Sequence, residues 1–367
     1  MHKVFEGISR RDFLKYCGYV ASMLGLSEFY VPEIAQALEN AAKKPPVVWI
    51  NGQTCTGCQI STLNSRKPTA ADVILDTISI RFLGTVMAGA GDLAIKTLED
   101  TIENEKGKYV LVVEGGIPTA ENGRFCTVGE KDGKPITFVE WVKKAGKNAH
   151  AVIALGTCSS FGGIPAANPQ TKVKPASEIL KGTPVVNVSG CPPHPDWFIG
   201  TVVKLLLFGK EKVVAGLDNH GRPLEFYGKS VHDNCPRRHW FEAGKFVEDW
   251  NDPEKVHFCL FLKGCKGPHS FADCPERHWN DGINWCIGAN APCHGCVQPE
   301  FYKDFAPLYE RMPDVSIPAI AGYEVSADKI GAILGIATVA GIGVHLVGQV
   351  MTGRLGTGGP REGGGEK

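Results

Sequence analysis

Val47-Val48-Trp49-Ile50-Asn51-Gly52-Gln53-Thr54-Cys55-Thr56-Gly57-Cys58 runs from an uninterrupted apolar segment straight into a loop that carries two thiols and two glycines. A short apolar run of this kind reads as a strand buried on both faces. The pattern repeats at Val73 to Ile80, Tyr109 to Glu114, Ala151 to Gly156 and Pro184 to Gly190. Between the runs lie helical stretches at Gln59 to Asn64, Gly91 to Asn104, Thr137 to Lys144 and Ala176 to Leu180, and Trp197 to Phe208 follows the last strand. Alternation of this kind predicts an α/β domain with a doubly wound parallel sheet, and such sheets collect ligands at the carboxyl ends of their strands.

The loops at those ends are therefore the informative ones. Thr54-Cys55-Thr56-Gly57-Cys58 follows the first strand, Gly156-Thr157-Cys158 the fourth and Gly190-Cys191-Pro192-Pro193 the fifth. Four thiols thus converge on one sheet edge, and a 4Fe-4S cluster needs four soft ligands around a compact cube. Cys-x-x-Cys alone would equally suit a thioredoxin-like dithiol or a zinc knuckle. A flavin or nucleotide site would need hydroxyls and glycines to wrap an anion in the first loop, where this chain has cysteines. Cys126 lies outside the strand-end set and reads as a packing residue.

Beyond about Gly216 the texture changes. Regular runs are few, aromatic and histidine residues are many, and the spacing is His232-x-x-Cys235, Cys259, Cys265, Cys274, Cys286, then Pro292-Cys293-His294-Gly295-Cys296. A segment with so little regular structure needs help to build a core, and metal-ligand bonds can supply it. Iron-sulfur, zinc and disulfide readings all remain open at this point, although seven cysteines do not pair evenly.

Composition narrows the class without naming it. The 367 residues carry 39 Lys and Arg against 39 Asp and Glu, so no net field points to a nucleic acid. The 13 cysteines are the outlier. At the N-terminus, Ser9-Arg10-Arg11-Asp12-Phe13-Leu14-Lys15 precedes an apolar stretch from Tyr16 to Leu26, and Ala35-Gln36-Ala37 offers a small-x-small cleavage site. Residues 1–37 read as a twin-arginine leader, a route that carries proteins already folded around their cofactors. Cys17, inside that leader, is set aside as a ligand. Near the other end, Ile330 to Val350 carries no formal charge and as a helix would reach about 31 Å, enough to cross a bilayer. Arg354, Arg361 and Lys367 beyond it, against Lys329 before it, favour a cytoplasmic tail at 352–367. His345 is an ionisable ring inside that span, a placement costly enough to suggest a haem ligand.

Taken together, these residues resemble the small subunit of nickel-iron hydrogenases over essentially the whole chain. The resemblance implies a flavodoxin-like proximal-cluster domain at 46–215 and a medial and distal cluster domain at 216–322, with a membrane helix at 330–351. It further implies a proximal 4Fe-4S cluster on Cys55, Cys58, Cys158 and Cys191, and a distal 4Fe-4S cluster on His232, Cys235, Cys259 and Cys265. A medial cluster falls on Cys274, Cys293 and Cys296. Family members usually have a proline where this chain has Cys286, so a fourth thiolate and a medial 4Fe-4S rather than 3Fe-4S cluster are expected. Oxygen-tolerant members resemble a version with extra cysteines at the positions of Gly57 and Gly163, so an ordinary proximal cubane and oxygen sensitivity follow. The implied partners are a large subunit that holds the nickel-iron site and docks beside the proximal cluster, and a membrane cytochrome b or quinone-linked acceptor, with His345 near a b-type haem. The implied location is the periplasmic face of the cell membrane. An iron-sulfur subunit of the related quinone-reductase module is the alternative, and that module lacks the cysteine-rich second half.

Overall fold

A computed structural model describes residues 10–40, 45–66, 68–74, 78–312, 316–318 and 324–352. The chain divides into two compact units, Met1–Arg311 and Met312–Lys367.

The first unit begins with two helices, α1 (Arg10–Met23) and α2 (Val31–Asn40), and then enters the sheet. Its five strands are β1 (Pro46–Asn51), β2 (Ser79–Leu83), β3 (Val110–Glu114), β4 (Ala151–Leu155) and β5 (Val185–Val188), all parallel in the order β2-β1-β3-β4-β5. This is the flavodoxin order, whose switch point lies between β1 and β3. Asn51 is opposite Glu114 and Glu114 opposite Leu155, so the carboxyl ends of β1, β3 and β4 finish level on one edge. The crossovers include α3 (Gly57–Leu63), α4 (Gly91–Asn104) and α5 (Phe138–Asn148), and after β4 and β5 come α6 (Thr157–Phe161) and α7 (Pro195–Ala215).

Alternation along the strands separates two apolar layers. Val47, Trp49, Val110, Val112, Ile153, Leu155, Val186 and Val188 face one layer with Trp197, Phe198 and Val202 of α7, while Val48, Ile50, Leu111, Val113, Val152 and Ala154 face the other with Leu98, Phe138 and Trp141. Full burial of each such side chain stabilises by about 1.5–3 kcal/mol, which is why the strands read as unbroken apolar runs. The cysteine-rich half shares the first layer, contributing Val231, Leu260, Trp285, Ile287 and Val297. Its regular structure is confined to short pieces such as Leu224–Tyr227, Arg238–Glu242 and Cys274–Arg277.

Two expectations shift. The second strand starts at Ser79 rather than Val73, because Thr69 and Asp72 form a capping box that opens a helical turn running through Val73 and Ile74. A short apolar run cannot by itself separate that turn from a strand. The segment read as an address is also folded against the body: Phe13, Cys17, Val20, Leu24 and Ile34 are buried in the same layer as Trp49 and Phe198. Phe13, Cys17 and Val20 form one stripe along α1, continued by Leu24 just beyond it, so Cys17, set aside as a ligand, is a core residue in this structure.

The second unit pairs Ser316–Pro318 with Glu324–Ser326 and continues into α8 (Ala327–Met351). Within α8, Ile330–Met351 has a mean hydropathy of 2.1 and is the one helix among the described residues long and apolar enough to cross a membrane. His345 lies on it, one turn before Gln349, with the two side-chain nitrogens 3.4 Å apart. Arg354, Arg361 and Lys367 lie outside the described residues, as does Ser9.

Candidate metal-cluster sites

The strand-end loops bring Cys55, Cys58, Cys158 and Cys191 into one electrostatic cluster. Thr56 takes a left-handed turn with φ 60° to start α3, which sets Cys58 in its first turn, and Gly156 with φ 87° does the same for Cys158 ahead of α6. Burial pushes the Cys58 thiol far above its ordinary value, and Glu114, Cys158, Cys191 and Cys55 add to the effect. Cys158 is pushed up to about 12, first by burial and then by Cys191 and Cys55. Four thiolates here would repel one another in a medium of low dielectric, so cations are needed to complete the site.

Glycine makes room for that completion. A Cβ on Gly156 would lie 2.5 Å from Cys58 Sγ, one on Gly163 3.1 Å from Cys158 Sγ and one on Gly57 3.1 Å from Cys55 Sγ. Gly156→Ala should therefore fold but take up about four irons fewer per chain, one cubane, as read by iron and acid-labile sulfide assay. An unchanged iron content would show that the cradle has slack.

Below this cluster the Glu114 carboxylate is fully buried. It accepts from Trp49 Nε1 at 2.8 Å, Asn51 Nδ2 at 3.1 Å and Thr54 Oγ1 at 3.0 Å, tying the ends of β1 and β3 to the first cysteine loop. In the sequence Glu114 was the last residue of the third apolar run. Its three donors come from β1 and the loop after it, some sixty residues earlier in the chain.

His232, Cys235, Cys259 and Cys265 line one small cavity, closed by Leu260, Gly267 and Ile287. Burial and the nearby Arg238 lower the His232 pKa, which keeps the imidazole neutral with a lone pair free to ligate. Arg237, which sequence reasoning passed over, is within electrostatic reach of all three thiols. Its Nη1 donates to Phe258 O at 3.0 Å and Asn290 Oδ1 at 2.8 Å, and this fixes a positive charge beside them.

Cys274, Cys293 and Cys296 form the third group. Cys274 feels Cys296, Cys293 and Cys286, and Cys296 feels Cys286 as well, so Cys286 belongs to the same electrostatic cluster. Cys286 is itself solvent-exposed. Gly295, at φ 69°, lets the Cys293-His294-Gly295-Cys296 knuckle turn closely under the Phe305 ring.

The three groups are contiguous. Lys266 N, next to Cys265, donates to the Cys293 carbonyl at 2.6 Å, which joins the second group to the third. Thr157 Oγ1 accepts from Gly190 N at 2.9 Å and donates to the Cys296 carbonyl, so one hydroxyl holds the first and third groups in register. Ser189 Oγ donates to Val297 O at 2.7 Å alongside it.

The twelve cysteines from Cys55 to Cys296 are free thiols, and Cys126 packs half-buried on the second apolar layer. Among the described residues, no three His, Cys, Asp or Glu side chains are spaced to hold a single metal ion.

A flavodoxin-order sheet whose edge gathers four thiols, joined through hydrogen bonds to two further cysteine groups, defines an iron-sulfur electron-transfer protein. Comparison with known proteins narrows the class. Residues 55–205 match the family described as NADH ubiquinone oxidoreductase, 20 Kd subunit, and residues 227–309 match the family of the C-terminal part of NiFe/NiFeSe hydrogenase small subunits. The periplasmic NiFeSe hydrogenase small subunit of Desulfomicrobium baculatum is 42% identical, with 82% of this chain and 98% of that one covered. The uptake hydrogenase small subunit of Azotobacter vinelandii is 42% identical over 93% of this chain and 92% of its own. The solved recombinant NiFeSe hydrogenase from Desulfovibrio vulgaris Hildenborough superposes with a TM-score of 0.70 at 44% identity, covering 73% of this chain and 98% of that one. The chain belongs to the nickel-iron hydrogenase small subunit family. The second-half match answers the quinone-reductase alternative, which the first half alone would leave standing.

Proposed function

We propose that this chain is the electron-relay subunit of a membrane-anchored uptake hydrogenase, paired with a large subunit that holds the hydrogen-activating site beside Cys55 and Cys58. The observation that carries the reading is the contiguity of the three cysteine groups, through Thr157 Oγ1 to the Cys296 carbonyl and Lys266 N to the Cys293 carbonyl. When bound, the clusters supply single-electron redox sites. The chain's own contribution is ligand type, burial and hydrogen bonds to sulfur, which set where each potential lies. Cys55, Cys58, Cys158 and Cys191 hold the proximal 4Fe-4S cluster; His232, Cys235, Cys259 and Cys265 hold the distal one. Cys274, Cys286, Cys293 and Cys296 hold a medial 4Fe-4S cluster of lower potential than a 3Fe-4S site.

Residues 1–37 are a leader for export in the folded state, 46–215 and 216–322 are the proximal and the medial and distal cluster domains, and 330–351 anchor the body to the outer face of the membrane. His345 then faces a b-type haem of the membrane acceptor. Gly57 and Gly163 leave the proximal site without the additional thiols of oxygen-tolerant relatives, so oxygen should inactivate the enzyme.

The test is iron and acid-labile sulfide content together with electron paramagnetic resonance of the oxidised and dithionite-reduced complex. About twelve irons on this subunit and no oxidised 3Fe signal are expected, four irons per cubane. Almost no iron would end the electron-relay reading. Cys286→Pro should remove about one iron and bring up the oxidised 3Fe signal. If the signal is already present in the unaltered protein, Cys286 is not a ligand.

A further inference from the structure

Two cations lie against the second cysteine group, and among the described residues neither is paired with a carboxylate. Lys266 is only 2% exposed, yet the partner of its Nζ is a backbone carbonyl, that of Glu310, at 2.6 Å. The exposed Glu310 carboxylate acts on the ammonium more weakly than Cys265 does. Arg237 is half-buried, and its Nη1 donates to Phe258 O at 3.0 Å, Val256 O at 3.4 Å and Asn290 Oδ1 at 2.8 Å. The groups of opposite charge that it faces are Cys235, Cys259 and Cys265. Burying an ion is costly unless an opposite charge accompanies it, and for both cations the ligand set supplies that charge.

The surroundings of the other groups differ in sign. Beneath the first lies the fully buried Glu114 carboxylate, an anion. Beside the third, Asp273, next to Cys274, is paired with Arg277 at 2.7 Å, so the two charges cancel. Arg238, near His232, is exposed and balanced by Asp233 at 3.2 Å and Glu242 at 2.8 Å. Buried fixed charge therefore changes from negative at the first group to positive at the second.

We infer that Arg237 and Lys266 are tuning charges that hold the distal cluster at the highest potential of the three, so that electrons run outward from the large subunit and return against a gradient. This rests on the reading above of the three groups as proximal, medial and distal clusters. Reduction adds one negative charge, which a fixed cation in a medium of low dielectric stabilises and a carboxylate opposes. His232 acts in the same sense, because a neutral imidazole stands where the other groups have a thiolate. Neither cation ligates iron. Each acts through its field.

Redox titration of the intact heterodimer, followed by electron paramagnetic resonance, tests this, with the resonance that changes in His232→Cys marking the distal cluster. In the unaltered protein the distal midpoint should lie above the other two, and a distal midpoint below either would overturn the inference without any variant. Lys266→Met and Arg237→Gln should each keep the full iron content and shift the distal cluster about tenfold toward its oxidised form at a fixed potential, about 59 mV for one electron. The proximal midpoint should stay in place, and Lys266→Arg, which keeps the charge, should leave the distal midpoint near its original value. The ratio of hydrogen evolution to hydrogen oxidation should rise in the two charge-removing variants. A distal midpoint that stays put in both, with all irons present, would overturn the inference; where a variant loses iron, the order of midpoints in the unaltered protein decides. Iron content separates these results from failure of the underlying reading: an unaltered subunit with no resonance that responds to His232→Cys and about four irons missing would overturn the cluster assignment, and this inference with it.

Discussion

Cys58→Ser should abolish hydrogen-dependent reduction of an artificial acceptor by the complex while the sheet still folds. Cys58 is the most deeply placed of the four proximal thiols, set by the left-handed turn at Thr56 and covered by the Gly156 backbone. A serine oxygen is a harder and poorer ligand for iron and has a far higher pKa than a thiol. Loss of a mere outer-shell partner already costs about 10–100-fold in metal affinity, so loss of the ligand itself should exceed about a hundredfold. The measurements are dye reduction under hydrogen, iron content and far-ultraviolet circular dichroism. Intact circular dichroism with about four irons missing and no dye reduction is the expected combination. Full dye reduction without those irons would mean that electrons leave the large subunit by another route.

The second large effect should come from a residue that ligates nothing. Arg222 is almost completely buried, and its Nε donates to Asp218 Oδ2 at 2.8 Å while its Nη1 donates to Val297 O at 3.0 Å and Gln298 Oε1 at 3.2 Å. Its guanidinium also lies over the Tyr227 ring, 5.1 Å from the centroid, and the Tyr227 hydroxyl donates to Ser189 O. These contacts join the segment after α7 and the loop after β5 to the residues just beyond Cys296. Arg222→Ala would take the charged partner from Asp218, whose Oδ1 keeps the His220 and Arg222 backbone N–H groups, and leave Ser189 Oγ as the remaining donor to Val297 O; breaking a buried pair by removing one partner costs about 3–5 kcal/mol. That corresponds to a fall in melting temperature of about 6–10 °C, read by differential scanning calorimetry on the anaerobic complex. Arg222→Lys should recover part of it, since a point charge can hold Asp218 but cannot reproduce the planar fork. A shift within a degree or two would show that water replaces the lost contacts.

The two variants separate what was legible in the sequence from what was not. Cys58 and the other strand-end cysteines could be found without coordinates, because apolar runs of strand length mark the sheet and thiols at their carboxyl ends follow from its topology. Arg222 carried no such signal: its partners Val297 and Gln298 are 75 and 76 residues away, and an arginine after a turn reads as surface. Thr157 escaped for a similar reason, since it was visible only as the residue before Cys158, yet its hydroxyl joins the proximal and medial groups. Arg237 was one of a basic pair beside Cys235. The start of β2 was misplaced because a capping box is a local device that can override an apolar run.

The sequence by itself determined the class of fold, the sheet edge that matters and the identity of the cysteine- and histidine-bearing loops, because burial on both faces, strand length and residue chemistry are properties of short segments. Only the tertiary structure decided which loops touch. It set the Thr157 hydroxyl against the Cys296 carbonyl, placed Cys286 within electrostatic reach of Cys274, put the Glu114 carboxylate beneath the first loop and laid α1 against α7. These contacts join residues far apart in the chain, and their strength depends on burial and partner geometry that no local pattern encodes.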